Sequence, residues 1–293
     1  MVWAVASTWD RRAVLRLAAG GVGLAAGATA LGACSGGGGG SELVLLPNDW
    51  DFFAGTPYRL AFFVADNAHN AAPVALDSPL TLRIAREGAP YGPPVPTVVH
   101  ANGPEPNYAL ATYTFPAPGT YNVRASFKGH TLALPLTVTA PSASATPTVG
   151  QKMVAVATPT TTDHRGVNPI CTAQPACPFH AVSLDQALEA GRPVALQFAT
   201  PALCQSKFCG PVLSNLVAVS GPWRDRVAFI HAEIYTDLSG QTSTPAVTAW
   251  GLQHEPMLYL GDATGRIVTR IDNLYDQDEA RAALTGAYGA PAG

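Results

Sequence analysis

A chain of 293 residues, 47% hydrophobic and 13% charged, with 28 glycines and 26 prolines, has the length for about two globular domains rich in β-structure and long loops. Its formal net charge is −3, from 17 Lys and Arg against 20 Asp and Glu. No basic run is present that could neutralise a phosphate backbone, which excludes nucleic acid as a partner.

The chain has five cysteines, an odd number that needs an explanation in an exported protein, and its first segment offers one. Asp10-Arg11-Arg12-Ala13-Val14-Leu15-Arg16 is similar to a twin-arginine export signal. The Ala/Gly/Leu-rich segment from Leu17 is too short and too glycine-rich for a convincing membrane span. It ends in Leu31-Gly32-Ala33-Cys34, which resembles the lipobox of bacterial lipoproteins. The resemblance implies that residues 1–33 are a signal peptide and that Cys34 is lipidated after cleavage. The body would then sit at the outer face of the cell membrane, held by its lipid. Residues 34–41, mostly glycine, read as a flexible tether. Four cysteines remain, an even number for a compartment in which disulfides persist.

From Glu42 to Ala140 the pattern is of short β-prone runs broken by Pro, Gly and Asn: 43–46, 58–65, 80–85, 97–100, 108–115, 121–127 and 132–139. Several alternate with period two, as in Tyr121, Val123, Ala125 and Phe127. Such a series over residues 42–140 fits an all-β, immunoglobulin-like sandwich. Pro118-Gly119-Thr120-Tyr121 looks like the turn and tyrosine that precede a late strand in those domains, and no cysteine is present to bridge the sheets. His69, His100 and His130 are scattered and read as ordinary surface or core residues.

Residues 141–148 (Pro-Ser-Ala-Ser-Ala-Thr-Pro-Thr) have the composition of a linker between two independently folding units. An α/β pattern follows. Ser183-Leu-Asp-Gln186 is a capping box that opens a helix over 184–190, ended by Gly191. Residues 194–199 and 227–234 read as buried strands, with a helix over 212–219 between them and a short helix over 246–251 after them. Residues 257–260 and 267–271, joined by the turn Asp262-Ala-Thr-Gly265, form a hairpin, and Asp276 with Glu279 caps a helix to Tyr288. Between the first strand and helix of this half lie Cys204 and Cys209. Cys209, just ahead of Gly210-Pro211, stands where a helix N-terminus stabilises a thiolate.

Residues 149–290 resemble a thioredoxin-like domain on three marks. Phe208-Cys209-Gly210-Pro211 is similar to the start of that family's Cys-Gly-Pro-Cys motif, Glu255-Pro256 stands at the place of its cis-proline, and Gly261-Asp-Ala-Thr-Gly265-Arg266-Ile267-Val268 matches its hairpin. The resemblance implies a thiol–disulfide oxidoreductase. Cys209 would attack a client disulfide, Cys204 would resolve the mixed disulfide, and the Pro256 loop would orient the client. No cofactor and no metal are implied. The partners would be client protein thiols or disulfides, or a membrane electron donor. The chain departs from the family at two points: Val212 replaces the second cysteine, leaving Cys-x4-Cys, and Gln197 stands near the place of a buried aspartate.

Cys171 and Cys177 form a second close pair, whose spacing with Cys204 and Cys209 does not suit a zinc knuckle, so a structural disulfide is expected. Two other functions stay open. One is a binding or structural lipoprotein with locked disulfides. The other is copper handling in the manner of Sco-type chaperones, with His254 joining the thiolates. Thr200-Pro201-Ala-Leu-Cys204 does not reproduce the peroxiredoxin order, which disfavours a peroxidase.

Overall fold

A computed structural model describes residues 42–103, 106–204 and 206–291. Arg11, Arg12 and Cys34 lie outside the described residues. The first half is built from nine strands: β1 (Leu43–Pro47), β2 (Tyr58–Asp66), β3 (Ala72–Val74), β4 (Thr81–Arg86), β5 (Val95–Pro96), β6 (Val98–His100), β7 (Tyr108–Tyr113), β8 (Gly119–Phe127) and β9 (His130–Val138). They pair antiparallel in two sheets, one in the order β1-β2-β7-β6 with β3 beside β2, the other β5-β4-β8-β9. Leu60, Phe62 and Val64 from one sheet and Ile84, Val123, Ala125 and Leu136 from the other share a single core, so the sheets face each other as a sandwich. Tyr121 Oη donates to the carbonyl of Ala117 at 2.9 Å, pinning the turn into β8 to the chain four residues upstream. β3 and β5, of three and two residues, are too short to show a period in the sequence.

The second half is a four-stranded sheet in the order β11-β10-β12-β13, from β10 (Val194–Phe198), β11 (Ala228–Ala232), β12 (Met257–Gly261) and β13 (Ile267–Asp272). β10 runs parallel to β11 and antiparallel to β12, which forms a hairpin with β13. One face carries α2 (Cys209–Ser220) and α4 (Gln277–Tyr288), through Val212, Leu213, Leu216, Ala280 and Leu284. The other carries α1 (Leu184–Glu189) and α3 (Pro245–Ala249), through Leu184, Ala187, Ala246 and Val247. Both helix starts read from the sequence hold: Ser183 and Gln186 form the capping box, and Asp276 accepts from Glu279 N.

The halves are joined by more than the linker expected over 141–148. β2 is buried on both faces: Leu60, Phe62 and Val64 point into the sandwich, whereas Ala61 and Phe63 pack into the core beneath α2 and α4. Arg59 bridges Asp49 and Glu279, donates to the carbonyl of Leu274 at 2.8 Å, and is joined by Tyr108, whose hydroxyl donates to Glu279. His100 Nδ1 lies 2.9 Å from Asp276, so this histidine serves the same join. The 141–148 stretch is packed as well. Thr146 accepts from Arg270 at 2.9 Å, and a Cβ on Gly251, where φ is +60°, would stand 2.5 Å from the carbonyl oxygen of Ala145. Small and polar residues here allow close backbone approach in addition to bending the chain.

Candidate functional site

The parallel strands β10 and β11 end side by side, Phe198 opposite Ala232. The segments that follow them carry most of the chemistry, as is usual at the carboxyl edge of an α/β sheet. Cys204 and Cys209 are joined as a disulfide with their Cα atoms 6.0 Å apart. Cys209 is the first residue of α2, and its N–H donates to Cys204 Sγ at 3.3 Å. Their exposure runs against the expected order of attack: Cys209 is fully buried, whereas Cys204 is partly exposed. Of the two bridged sulfurs, the one open to approach from solvent is that of Cys204.

Glu255 supplies the ionisable group that Gln197 cannot. Its Oε2 is 3.5 Å from Cys209 Sγ. Burial and then the charge of Glu233 push its carboxyl up to about 8, against a smaller lowering by the backbone N–H of Thr200. At neutral pH the group is mostly protonated, and since a disulfide sulfur has no hydrogen, the carboxylic O–H is the donor. Pro256 follows at once, its peptide bond with Glu255 cis, and its carbonyl accepts from Asn273 N at 2.9 Å. Gln197 is a satisfied structural amide. It accepts from Tyr275 Oη at 2.6 Å and donates to the carbonyls of Phe198 and Met257. Val212 fills core under the sheet. His254 stacks on Trp50 with ring centroids 4.7 Å apart, while the carboxylate that joins Cys204 and Cys209 is Glu255. That removes the support for His254 as a thiolate-side copper ligand.

The expected Cys171–Cys177 disulfide is replaced by two free thiols. Their sulfurs converge with His180 and His231, all four ligand atoms within 4.8 Å of one another. The absence of a metal from the sequence reading is corrected here to a geometry able to hold one. Hydrogen bonding to Cys177 and then to the two imidazoles holds the Cys171 thiol well below its usual range, while Cys177, raised, keeps the proton. Beside them Glu233 accepts from Thr172 N at 2.6 Å and stands 3.8 Å from His231 Nε2.

Sequence reasoning missed Glu255, His180, His231 and Glu233. The last two had a signal: His231 and Glu233 interrupt the apolar run 227–234, and a polar side chain on a fully buried strand requires a partner. Cys177-Pro-Phe-His180 also has ligand spacing, but its fourth partner, His231, is 51 residues further along the chain.

No family model and no curated protein matches the chain. Among solved structures it is similar to a Bacillus anthracis protein described as a lipoprotein, at 13% identity and TM-score 0.22, over 33% of this chain and 73% of that one. It is also similar to the Caenorhabditis elegans twitchin kinase fragment with immunoglobulin domains, at 18% identity and TM-score 0.21, over 35% of this chain and 21% of that one. A third is the PKD domain of human SorCS2, at 13% identity and TM-score 0.19, over 40% of this chain and all of that one (100%). Scores this low carry no weight for fold or function, and the sandwich rests on its own strand pairing and shared core. Among the described residues no helix is long and apolar enough to cross a membrane.

Proposed function

We propose that the chain is a lipid-anchored, extracytoplasmic thiol–disulfide exchange protein whose second half is a thioredoxin-like domain. The observation that carries the reading is the Cys204–Cys209 disulfide at the start of α2 with the protonated carboxyl of Glu255 against its buried sulfur. The sheet order, the helix that begins at Cys209 and the placement of Pro256 just before β12 support the thioredoxin-like part. A client thiolate attacks Cys204 Sγ, the Cys204–Cys209 bond breaks, and its electron pair goes to Cys209 Sγ, which takes the proton of Glu255. The client's second thiolate then attacks the client sulfur of the mixed disulfide and releases Cys204 as a thiolate, which is protonated from solvent. The client dithiol has become a disulfide and the protein a dithiol; the reverse sequence reduces a client disulfide. The twin-arginine segment and Cys34 support export and anchoring.

Thiol trapping across a series of redox buffers tests the reading. A labile pair titrates well above the range of about −300 mV and below that is typical of structural disulfides. Cys209→Ser should hold clients in mixed disulfides through Cys204, and Cys204→Ser should hold none. A potential in the structural range, with no client on either variant, would replace this reading by a binding lipoprotein with a locked disulfide.

A further inference from the structure

The four residues that meet beside this site form a set with its own chemistry. Cys171, Cys177 and His180 come from one loop and His231 from β11, one residue before its end. Sulfur-to-nitrogen distances are 3.7 Å from Cys171 to His231 Nδ1, 3.4 Å from Cys177 to His231 Nδ1 and 3.3 Å from Cys177 to His180 Nε2. The two imidazole nitrogens are 3.3 Å apart. Zinc bonds of about 2.3 Å to sulfur and about 2.0 to 2.1 Å to nitrogen, set at tetrahedral angles, require edges of about 3.5 Å between S and N and about 3.3 Å between N and N. These four edges match those of a tetrahedron that surrounds a single ion, and the other two, from Cys171 to Cys177 and from Cys171 to His180, lie within 4.8 Å.

The hydrogen bonding around the cluster fits the same use. His231 Nε2 lies 3.0 Å from the carbonyl oxygen of Ala199, which can only accept. In the neutral ring Nε2 therefore carries the proton and Nδ1 turns its lone pair to the sulfurs, with the outer nitrogen fixed as in metal-bound histidines. Cys177 N donates to Cys171 Sγ at 3.3 Å, a bond that favours a thiolate. Thr172, the residue after Cys171, is held by Glu233 through its N–H, and its Oγ1 accepts from Ala202 N at 3.1 Å, so the loop is anchored on both sides. His231, His180 and Cys171 are buried.

We propose that Cys171, Cys177, His180 and His231 bind one zinc-class divalent cation in a closed tetrahedral site. Two thiolates and two neutral imidazoles cancel the charge of the ion. Four protein ligands leave no open position, so the ion ties the 171–180 loop to β11 and takes no part in chemistry. Binding displaces thiol protons to solvent and shields both sulfurs from oxidation.

The test uses the full mature chain, reduced, loaded with Zn²⁺ and desalted. Elemental analysis should find one zinc per chain, and Co²⁺ in its place should give the intense visible bands of a tetrahedral thiolate–imidazole site. His180→Ala and Cys171→Ser should lose the metal, while the double variant Cys204→Ser/Cys209→Ser should keep it, which separates this site from the exchange pair. Because a ligand variant can fail to fold, wild-type protein gives a second readout. Zn²⁺ should slow alkylation of Cys171 and Cys177 at least tenfold, and a chelator should restore it. Zinc lost on desalting, an octahedral cobalt spectrum, or a Cys171–Cys177 disulfide that forms equally with and without Zn²⁺ would overturn the proposal.

Discussion

The second half holds two cysteine pairs of nearly equal spacing, Cys171-x5-Cys177 and Cys204-x4-Cys209, and the structure treats them in opposite ways. The first is left as thiols among two imidazoles, with Glu233 close by. The second is closed as a disulfide against a helix start and a carboxylic acid. Spacing along the chain therefore does not decide a cysteine's fate. Neighbours do: imidazole lone pairs offer a cation two more ligands, whereas a proton donor and a helix N-terminus ease the breaking of a sulfur–sulfur bond.

The contrast can be broken most directly at Cys204. With the pair reading correct, Cys204→Ser loses all measurable exchange with a fluorescent disulfide peptide, because the only accessible sulfur of the bridge is gone. Residual exchange above a tenth of wild type in that variant would move the activity to the other pair.

The next largest effect belongs to Glu255→Gln. Positioned proton transfer is worth about 10² to 10⁴-fold, so reduction of the bridge by a small dithiol at neutral pH should slow by about 10²-fold. The wild-type rate, normalised to the reductant's thiolate, should fall with rising pH around 8 as Glu255 loses its proton, and the variant should show no such step. A step retained in Glu255→Gln would assign the proton to another group.

These effects also mark what the sequence could disclose. Strand and helix positions were legible because each follows a local rule, the period-two runs of β8 and the caps at Ser183 and Asp276 among them. Cys209 at a helix start was legible for the same reason. Most partners of the cysteines were not, because Glu255 and His231 reach the sulfurs from segments brought together only by the fold of the sheet, whereas His180 lies three residues from Cys177. The join between the halves was hidden in a similar way. The continuous apolar run of β2 reads as one buried strand, and nothing local says that Phe62 and Phe63 enter two different cores.

Stability sharpens the comparison on a smaller scale. Closing the short Cys204–Cys209 loop contributes about 2 kcal/mol by chain entropy, so selective reduction should lower the unfolding free energy by about that amount. The free pair has no such bond to lose, and chemical denaturation of a Cys171→Ser/Cys177→Ser variant in metal-free buffer should show no change on adding reductant beyond that of the Cys204–Cys209 bridge. A larger loss on adding reductant in wild type than in this variant would mean that the free pair had closed.

The smallest effect follows from the proton on Glu255. Its carboxyl is raised from 4.5 to about 8 in the folded chain, first by burial and then by the charge of Glu233. Between those two values the folded state holds a proton that the unfolded state has released. Its contribution to stability is therefore most favourable at and below the unfolded value, declines as pH rises through the window, and levels off above the folded value. The limiting slope for one proton is about 1.4 kcal/mol per pH unit, and partial solvent access at this carboxyl brings the expectation nearer about 1 kcal/mol between pH 6 and pH 7. Denaturant curves of wild type and Glu255→Gln, both oxidised, isolate the term, since the amide cannot titrate and every other group is shared. Wild type should lose ground to the variant as pH rises from 5 to 8. Parallel curves over that range would mean that Glu255 is ionised in the folded chain, and Cys209 would then leave as a thiolate with no acid beside it.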